Sequence, residues 1–203
     1  VIPIYNEQEN IPTLYKRLRA TLKEAVEDYE IVFVNDCGED RSLEMLKKLA
    51  AKDRRVRVVA FARNFGHQMA ITAGMRYSRG EAVILMDGDL QDPPEVLPQL
   101  IEKRESGNWD VVYAVRKKRK EILPKRMAYF AFYRILRQLS TIDIPLDSGD
   151  FCIMSRRIVD EMNKLPENKR FVRGLRSWVG FRQTGMEYER AARHAGEPKY
   201  TFK

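Results

Sequence analysis

Cysteine is nearly absent: Cys37 and Cys152 are the only two in 203 residues. Two thiols cannot build a disulfide framework, so a bridge-stapled secreted scaffold is excluded and a reducing compartment is expected. Both read as inert thiols. Histidine is equally scarce, and His67 and His194 read as surface or capping residues rather than ligands. No apolar run approaches the roughly 18 residues of a membrane span, and no signal peptide is visible. Internal repeats, low-complexity tracts and a convincing linker are also missing. There is no initiator Met; Val1-Ile2-Pro3-Ile4 reads as the end of a strand, as in a fragment trimmed at its N-terminus.

What is present suits one domain over residues 1–203. Hydrophobic residues make up 44%, enough for a core, so wholesale disorder is excluded. The net charge of +8 favours an anionic partner: nucleic acid, an anionic membrane surface or a phosphorylated substrate.

The first half alternates strand and helix. Val1–Ile4 is a strand end. Asn10 can cap a helix with Pro12 in its first turn, and Leu14, Leu18, Leu22 and Val26 share one face. Strands are expected over Tyr29–Asn35, Val56–Phe61, Ala82–Met86 and Asp110–Val115. Helices are expected after Asp40, over Gln68–Tyr77 and after Pro93-Pro94. Repeated βα units of this length imply an α/β fold: a mainly parallel sheet with helices on both faces. Such sheets bind ligands at the carboxyl ends of their strands.

After Val115 the pattern changes. Arg116–Lys120 is a basic run, and a helix is expected over residues 124–140, with Arg126, Arg134 and Arg137 on one side and Tyr129, Phe132, Tyr133 and Leu136 on a neighbouring one. These aromatics suit either a membrane interface or a core. A loop, Asp147-Ser148-Gly149-Asp150-Phe151, precedes a short strand and a helix over Arg157–Lys164. A helix around Trp178 and a strand near Thr184–Glu189 follow.

Chemistry concentrates at strand ends. Ala82–Met86 runs into Asp87-Gly88-Asp89-Leu90-Gln91-Asp92. Carboxylates at i and i+2 on a tight turn can converge on one hard cation, Mg²⁺ or Mn²⁺, which keeps free positions for diphosphate oxygens. An isolated Asp-x-Asp is more often a solvated turn, but the end of a buried strand favours the metal. Glu7 and Asp36 stand at two further strand ends, where turn or cap roles compete with a site role. Acids gathered on one edge argue against a basic nucleic-acid binder, which needs a continuous cationic face.

Val1-Ile2-Pro3-Ile4-Tyr5-Asn6-Glu7, Val34-Asn35-Asp36, Ala62-Arg63-Asn64-Phe65-Gly66 and Asp87–Pro94 resemble, in order and spacing, the family 2 glycosyltransferases with the GT-A fold. Asp147–Phe151 and Phe171–Gln183 resemble the polyisoprenyl-phosphate branch of that family, which includes bactoprenol glucosyltransferases and dolichyl-phosphate mannose synthases. The resemblance implies that Pro3, Tyr5 and Glu7 line the nucleoside, that Asp36 hydrogen-bonds the base and that Arg63 lies beside the nucleotide. Asp87, Asp89 and Gln91 match the metal and diphosphate site, and Asp150 the acid assigned as base. Arg116 and Arg126 match cations for the acceptor phosphate. Two departures stand out: Cys37-Gly38-Glu39-Asp40 replaces the usual Gly-Ser, and Gly88 replaces a commoner Ala.

The implied reaction is an inverting transfer of a hexose from a UDP- or GDP-sugar to a polyprenyl phosphate, with residues 1–115 as the donor half and 116–203 as the acceptor half. The implied place is the cytoplasmic face of a membrane. Relatives usually continue into transmembrane helices after the point matching Lys203, so such helices are expected to have been removed or to lie beyond the fragment. A soluble sugar acceptor is the nearest alternative. Nucleotidyltransfer is a further one, although Tyr5-Asn6-Glu7 is not its Gly-rich phosphate loop. The sequence leaves oligomeric state open, a homo-oligomer included.

Overall fold

A computed structural model describes residues 1–117, 148–167 and 170–191. Elements alternate as expected: β1 (Ile2–Ile4), α1 (Ile11–Ala25), β2 (Ile31–Asn35), α2 (Ser42–Lys52), β3 (Val56–Ala60), α3 (His67–Tyr77), β4 (Ala82–Leu85), a 3₁₀ turn (Pro94–Val96) running into α4 (Leu97–Ser106), and β5 (Val111–Arg116). The second part contributes β6 (Ser148–Ser155), α5 (Arg156–Lys164), α6 (Val172–Trp178) and β7 (Gln183–Tyr188).

β1, β2 and β3 form one parallel ladder; β4, β6, β5 and β7, in that spatial order, form another. The ladders meet where Val1 N donates to the Ile84 carbonyl at 2.7 Å and the Met86 N–H donates to the Val1 carbonyl at 3.2 Å. The sheet is mainly parallel. Among the described strands β6 is the one that runs against its neighbours, pairing antiparallel with both β4 and β5.

Strand alternation sorts the core into two layers. Ile2, Ile4, Phe33, Phe151 and Ile153 face α1, α2 and α4, whose Leu14, Leu18, Leu46, Leu97 and Leu100 are buried. Leu85, Val111, Cys152 and Met154 face α3, α5 and α6 through Ile71, Met75, Ile158, Val159, Met162 and Val172. Covering both faces leaves the strand ends as the edge open to solvent.

Local signals held with adjustments. Asn10 occupies the N-cap of α1, but its side-chain amide donates to Glu7 Oε2 at 2.6 Å instead of capping the helix. Asp150 lies inside β6, not in a loop before it. Ser-Gly-Asp has little strand propensity of its own. Pairing with β5 imposes the extended conformation, with an irregular register between Tyr113 and Val115 beside Asp150. The expected helix over residues 124–140, with Arg126, lies outside the described residues. No helix among those described is long and apolar enough to cross a membrane.

Candidate active site

The first three strand-end loops are tied to one another by their polar side chains. After β1 the chain turns through Asn6, whose φ is 53°, and Asn6 Oδ1 accepts the Glu39 N–H at 2.8 Å. Asp40 Oδ2 accepts the Gln8 N–H at 2.9 Å, and Ser42 Oγ accepts the Glu7 N–H at 3.0 Å. Gly38 is required here: a Cβ would lie 2.4 Å from Asn6 Oδ1 and 2.9 Å from Asn6 N. The unusual Cys37–Asp40 run is therefore the partner of the Tyr5–Gln8 turn. An open groove of about 380 Å³ lies beside it, lined by Asn6, Glu7, Gln8, Glu39 and Asp40 among others.

Three of the five non-glycine residues at positive φ among the described residues lie at the same edge. Asn6, Cys37 and Leu90 are non-glycine residues at positive φ, one each after β1, β2 and β4. Such conformations cluster at functional sites, where surrounding structure over-determines them.

Asp36, at the end of β2, is buried and uses both carboxylate oxygens on the backbone. Oδ1 accepts the Phe65 N–H at 2.7 Å and Oδ2 the Gly66 N–H at 2.9 Å. It thus holds the loop after β3 in which Arg63 lies, with the Arg63 guanidinium 3.9 Å from the Phe65 ring centroid.

The same loop leads into α3, and its first two residues reach the remaining acids. His67 Nε2 is 2.8 Å from Asp87 Oδ1, and His67 Nδ1 is 3.8 Å from Asp150 Oδ2. Gln68 Nε2 donates to Asp150 Oδ2 at 2.9 Å, and Gln68 Oε1 accepts the Val172 N–H at 2.8 Å. Sequence reasoning set His67 aside as a surface or capping residue and passed over Gln68. The structure corrects this: His67 is half-buried between two site acids. The signal was available, because both residues directly follow the Arg63–Gly66 motif at a strand's carboxyl end.

Burial opposes a charged imidazole, but the hydrogen bond and charge of Asp87, joined by Asp150 and Asp36, outweigh it and hold His67 above the ordinary histidine range. Burial also opposes the Asp87 carboxylate. Here His67, with Arg190 and Arg116 further off, prevails and keeps Asp87 below its usual range. The stability His67 gains from this pairing is complete below the unfolded histidine pKa of about 6.5 and is lost as pH rises through the higher folded value. In EDTA, wild type is expected to exceed His67→Gln in Tm by about 2–4 °C at pH 6, as for a pair contributing about 1 kcal/mol, and to lose that margin by pH 9. Parallel Tm curves from pH 5.5 to 9 would show that the pair carries no charge.

The turn after β4 is closed on itself. Asp89 is buried, and its Oδ1 accepts the Gln91 N–H at 3.1 Å. The Gln91 carbonyl accepts the Ala191 N–H at 2.9 Å, bringing the chain after β7 across the turn. Asp92 accepts the Tyr188 hydroxyl and lies 3.5 Å from Arg190 Nε. Arg190 thus already has a carboxylate partner. Burial raises the Asp92 pKa. Gly88 passes close to β1, since a Cβ there would lie 2.7 Å from Ile4 Cδ1 and 3.3 Å from the Pro3 carbonyl. Ala at this position therefore requires Ile4 to shift.

Arg116, at the end of β5, points back into the edge. Its Nη2 would be 3.3 Å from a Cβ on Gly149, adjacent to Asp150, and its charge acts on Asp87 and Asp92. Pro3, Tyr5, Glu7, Asp36, Arg63, Asp87, Asp89, Gln91, Asp150 and Arg116 thus all lie on or beside the strand ends of one sheet. No group of three or more His, Cys, Asp or Glu among the described residues is arranged to hold a metal by itself. Asp87 and Asp89 are two carboxylates, the number with which a protein holds Mg²⁺ when substrate phosphates complete its shell. The donor set therefore fits a cation shared with a diphosphate.

The mainly parallel sheet flanked by helices, with acids at its carboxyl edge, is of the GT-A class of α/β fold. The Glycosyl transferase family 2 profile matches residues 1–162, and the chain belongs to that family. It is 51% identical over its whole length to the uncharacterized glycosyltransferase YkcC of Bacillus subtilis (strain 168), covering 63% of that protein. It is 41% identical over 98% of its length to the bactoprenol glucosyl transferase of Shigella phage SfV, covering 65% of it. The chain thus spans less than two thirds of these relatives. Among solved structures, the mannosyltransferase PcManGT from Pyrobaculum calidifontis, in complex with GDP-Man and Mn²⁺, superposes with a TM-score of 0.65 at 17% identity, over 92% of this chain and 53% of that one. S. aureus TarS 1-349 in complex with UDP-GlcNAc gives 0.63 at 18% identity, over 97% and 58%. These last two likenesses are of fold.

Proposed function

We propose that this glycosyltransferase moves a hexose from a nucleotide sugar to a polyprenyl phosphate at a membrane surface, with Mg²⁺ or Mn²⁺ bound by Asp87, Asp89 and Gln91. The observation that carries this reading is the convergence of donor-side and acceptor-side acids: one imidazole, His67, lies 2.8 Å from Asp87 and 3.8 Å from Asp150. The 41% identity to a bactoprenol glucosyl transferase supports the acceptor class.

A bound divalent cation would supply charge neutralisation to the leaving nucleoside diphosphate. The chain's own residues do the rest. The Tyr5–Gln8 turn and Asp36 border the nucleoside, and Arg63 stands beside it. Arg116, next to Gly149, offsets repulsion between an incoming phosphate, Asp150 and the donor diphosphate. A phosphate monoester, with a second pKa near 6, is already largely anionic near neutral pH. Asp150 therefore orients the acceptor more than it deprotonates it.

Incubating the protein with undecaprenyl phosphate, a panel of UDP-, GDP- and dTDP-sugars, and Mn²⁺ or EDTA tests this directly. Metal-dependent formation of a prenyl-linked sugar is expected, and transfer only to soluble sugars would refute the acceptor class. Membrane docking is tested by co-sedimentation with anionic vesicles. Each basic residue near such a surface contributes about 1 kcal/mol, so wild type should sediment at low salt and a Lys117/Lys118/Arg119/Lys120→Gln variant much less. No sedimentation of either would remove the basic run from the docking surface.

A further inference from the structure

We infer that Gln68 is a positioning residue: its side-chain amide clamps Asp150 to the start of α6 and so fixes the acceptor-side acid. The inference rests on the placement of Asp150 in the proposed site. Both ends of the amide are used. The NH₂ donates to Asp150 Oδ2 at 2.9 Å, and the carbonyl accepts the Val172 N–H at 2.8 Å. The orientation follows from chemistry, because a flipped amide would set its carbonyl against a carboxylate and its NH₂ against a backbone N–H. Three elements therefore meet on one side chain: α3, β6 and α6.

The clamp acts at Asp150, which has no register partner in either neighbouring ladder. That residue follows Gly149 and sits where the β5–β6 register is irregular. Two residues further on, Cys152 is fully buried against the layer that holds Ile71, Met75 and Val172. Cys152 anchors the strand, but nothing in the ladder fixes the direction of the Asp150 carboxylate. Gln68 does so from the first turn of α3, where the neighbouring His67 contacts Asp87. Consecutive residues of one helix thereby set the spacing between the donor-side and acceptor-side acids. Val172 ties the same amide to the segment that begins at Phe171, so a shift of α6 is transmitted to Asp150.

Two variants of the full chain separate the halves of the clamp. Gln68→Glu keeps an oxygen for the Val172 N–H but turns a carboxylate oxygen toward Asp150. Gln68→Met keeps the length and loses both bonds. Hydrogen exchange at Val172 is expected to be as slow as wild type in Gln68→Glu and at least about tenfold faster in Gln68→Met. Transfer should fall about 10–100-fold in both, the range for losing one bond to a charged group. The acceptor KM should rise in Gln68→Met, while the donor KM stays within about twofold in each. Exchange at Val172 that is alike in the two variants overturns the clamp, as does wild-type kcat in Gln68→Glu. If wild type transfers nothing to undecaprenyl phosphate, the acceptor class falls by itself, and the exchange measurements still decide the clamp.

Discussion

Asp89→Asn is expected to lower sugar transfer about a thousandfold while leaving the fold intact. Lewis-acid stabilisation of a leaving diphosphate contributes several kcal/mol, and about 4 kcal/mol corresponds to three powers of ten in rate. The substitution removes one of two carboxylates from the donor set and keeps the shape of the side chain. The turn should survive, because the Asn carbonyl can accept the Gln91 N–H that Asp89 Oδ1 now accepts at 3.1 Å. Calorimetric titration of nucleoside diphosphate with and without Mn²⁺, beside a Tm measurement, checks both halves. EDTA should reproduce the loss in wild type, and Mn²⁺ should restore it. Donor binding of wild-type strength that still responds to Mn²⁺ in the variant would take Asp89 out of the metal site.

The second large effect is at Asp36. The resemblance assigns it to the base, and the structure adds a second task, since both its oxygens accept backbone N–H groups from Phe65 and Gly66. Hydrogen bonds to a charged group contribute about 1.5–3 kcal/mol each. With incomplete additivity, Asp36→Ala should cost about 3–4 kcal/mol, or roughly 6–16 °C in Tm for a chain of this size. It should also weaken nucleoside diphosphate binding tenfold to hundredfold without altering metal preference, because Arg63 and the Phe65 turn lose their anchor. An unchanged Tm would show that the turn holds itself. Unchanged affinity, measured where the variant is folded, would remove Asp36 from the donor site.

The elements legible in the sequence were those fixed by local pattern. Leu14, Leu18 and Leu22 repeat on one face of α1, and all are buried. Ala82–Leu85 is a short apolar strand that stops at an acid turn, and the turn lies where parallel sheets bind ligands. What was not legible depends on pairing across long stretches of chain. No periodicity announces that β6 enters between β4 and β5 in the reverse direction, because strand direction is decided by the connections and not by the strand. Asp150 read as a loop residue for that reason. The position of His67 and Gln68 after the Arg63–Gly66 motif was legible, but not which acids they meet, which depends on β4 and β6 being neighbours. The resemblance gives Asp36 a base to read; that its oxygens also accept two amides of its own chain was not legible.

The pairing of Leu85 with Cys152 sets Asp87, just past the end of β4, beside Asp150 on β6 although much of the chain separates them. The chain between β4 and β6 enters that pairing as a single closure. Chain-closure entropy grows only logarithmically, so doubling such a connection costs about 0.6 kcal/mol. Insertions or deletions between β5 and β6 therefore carry little closure cost, and the ladder between β4 and β6 keeps Asp87 beside Asp150 whatever the length of that connection.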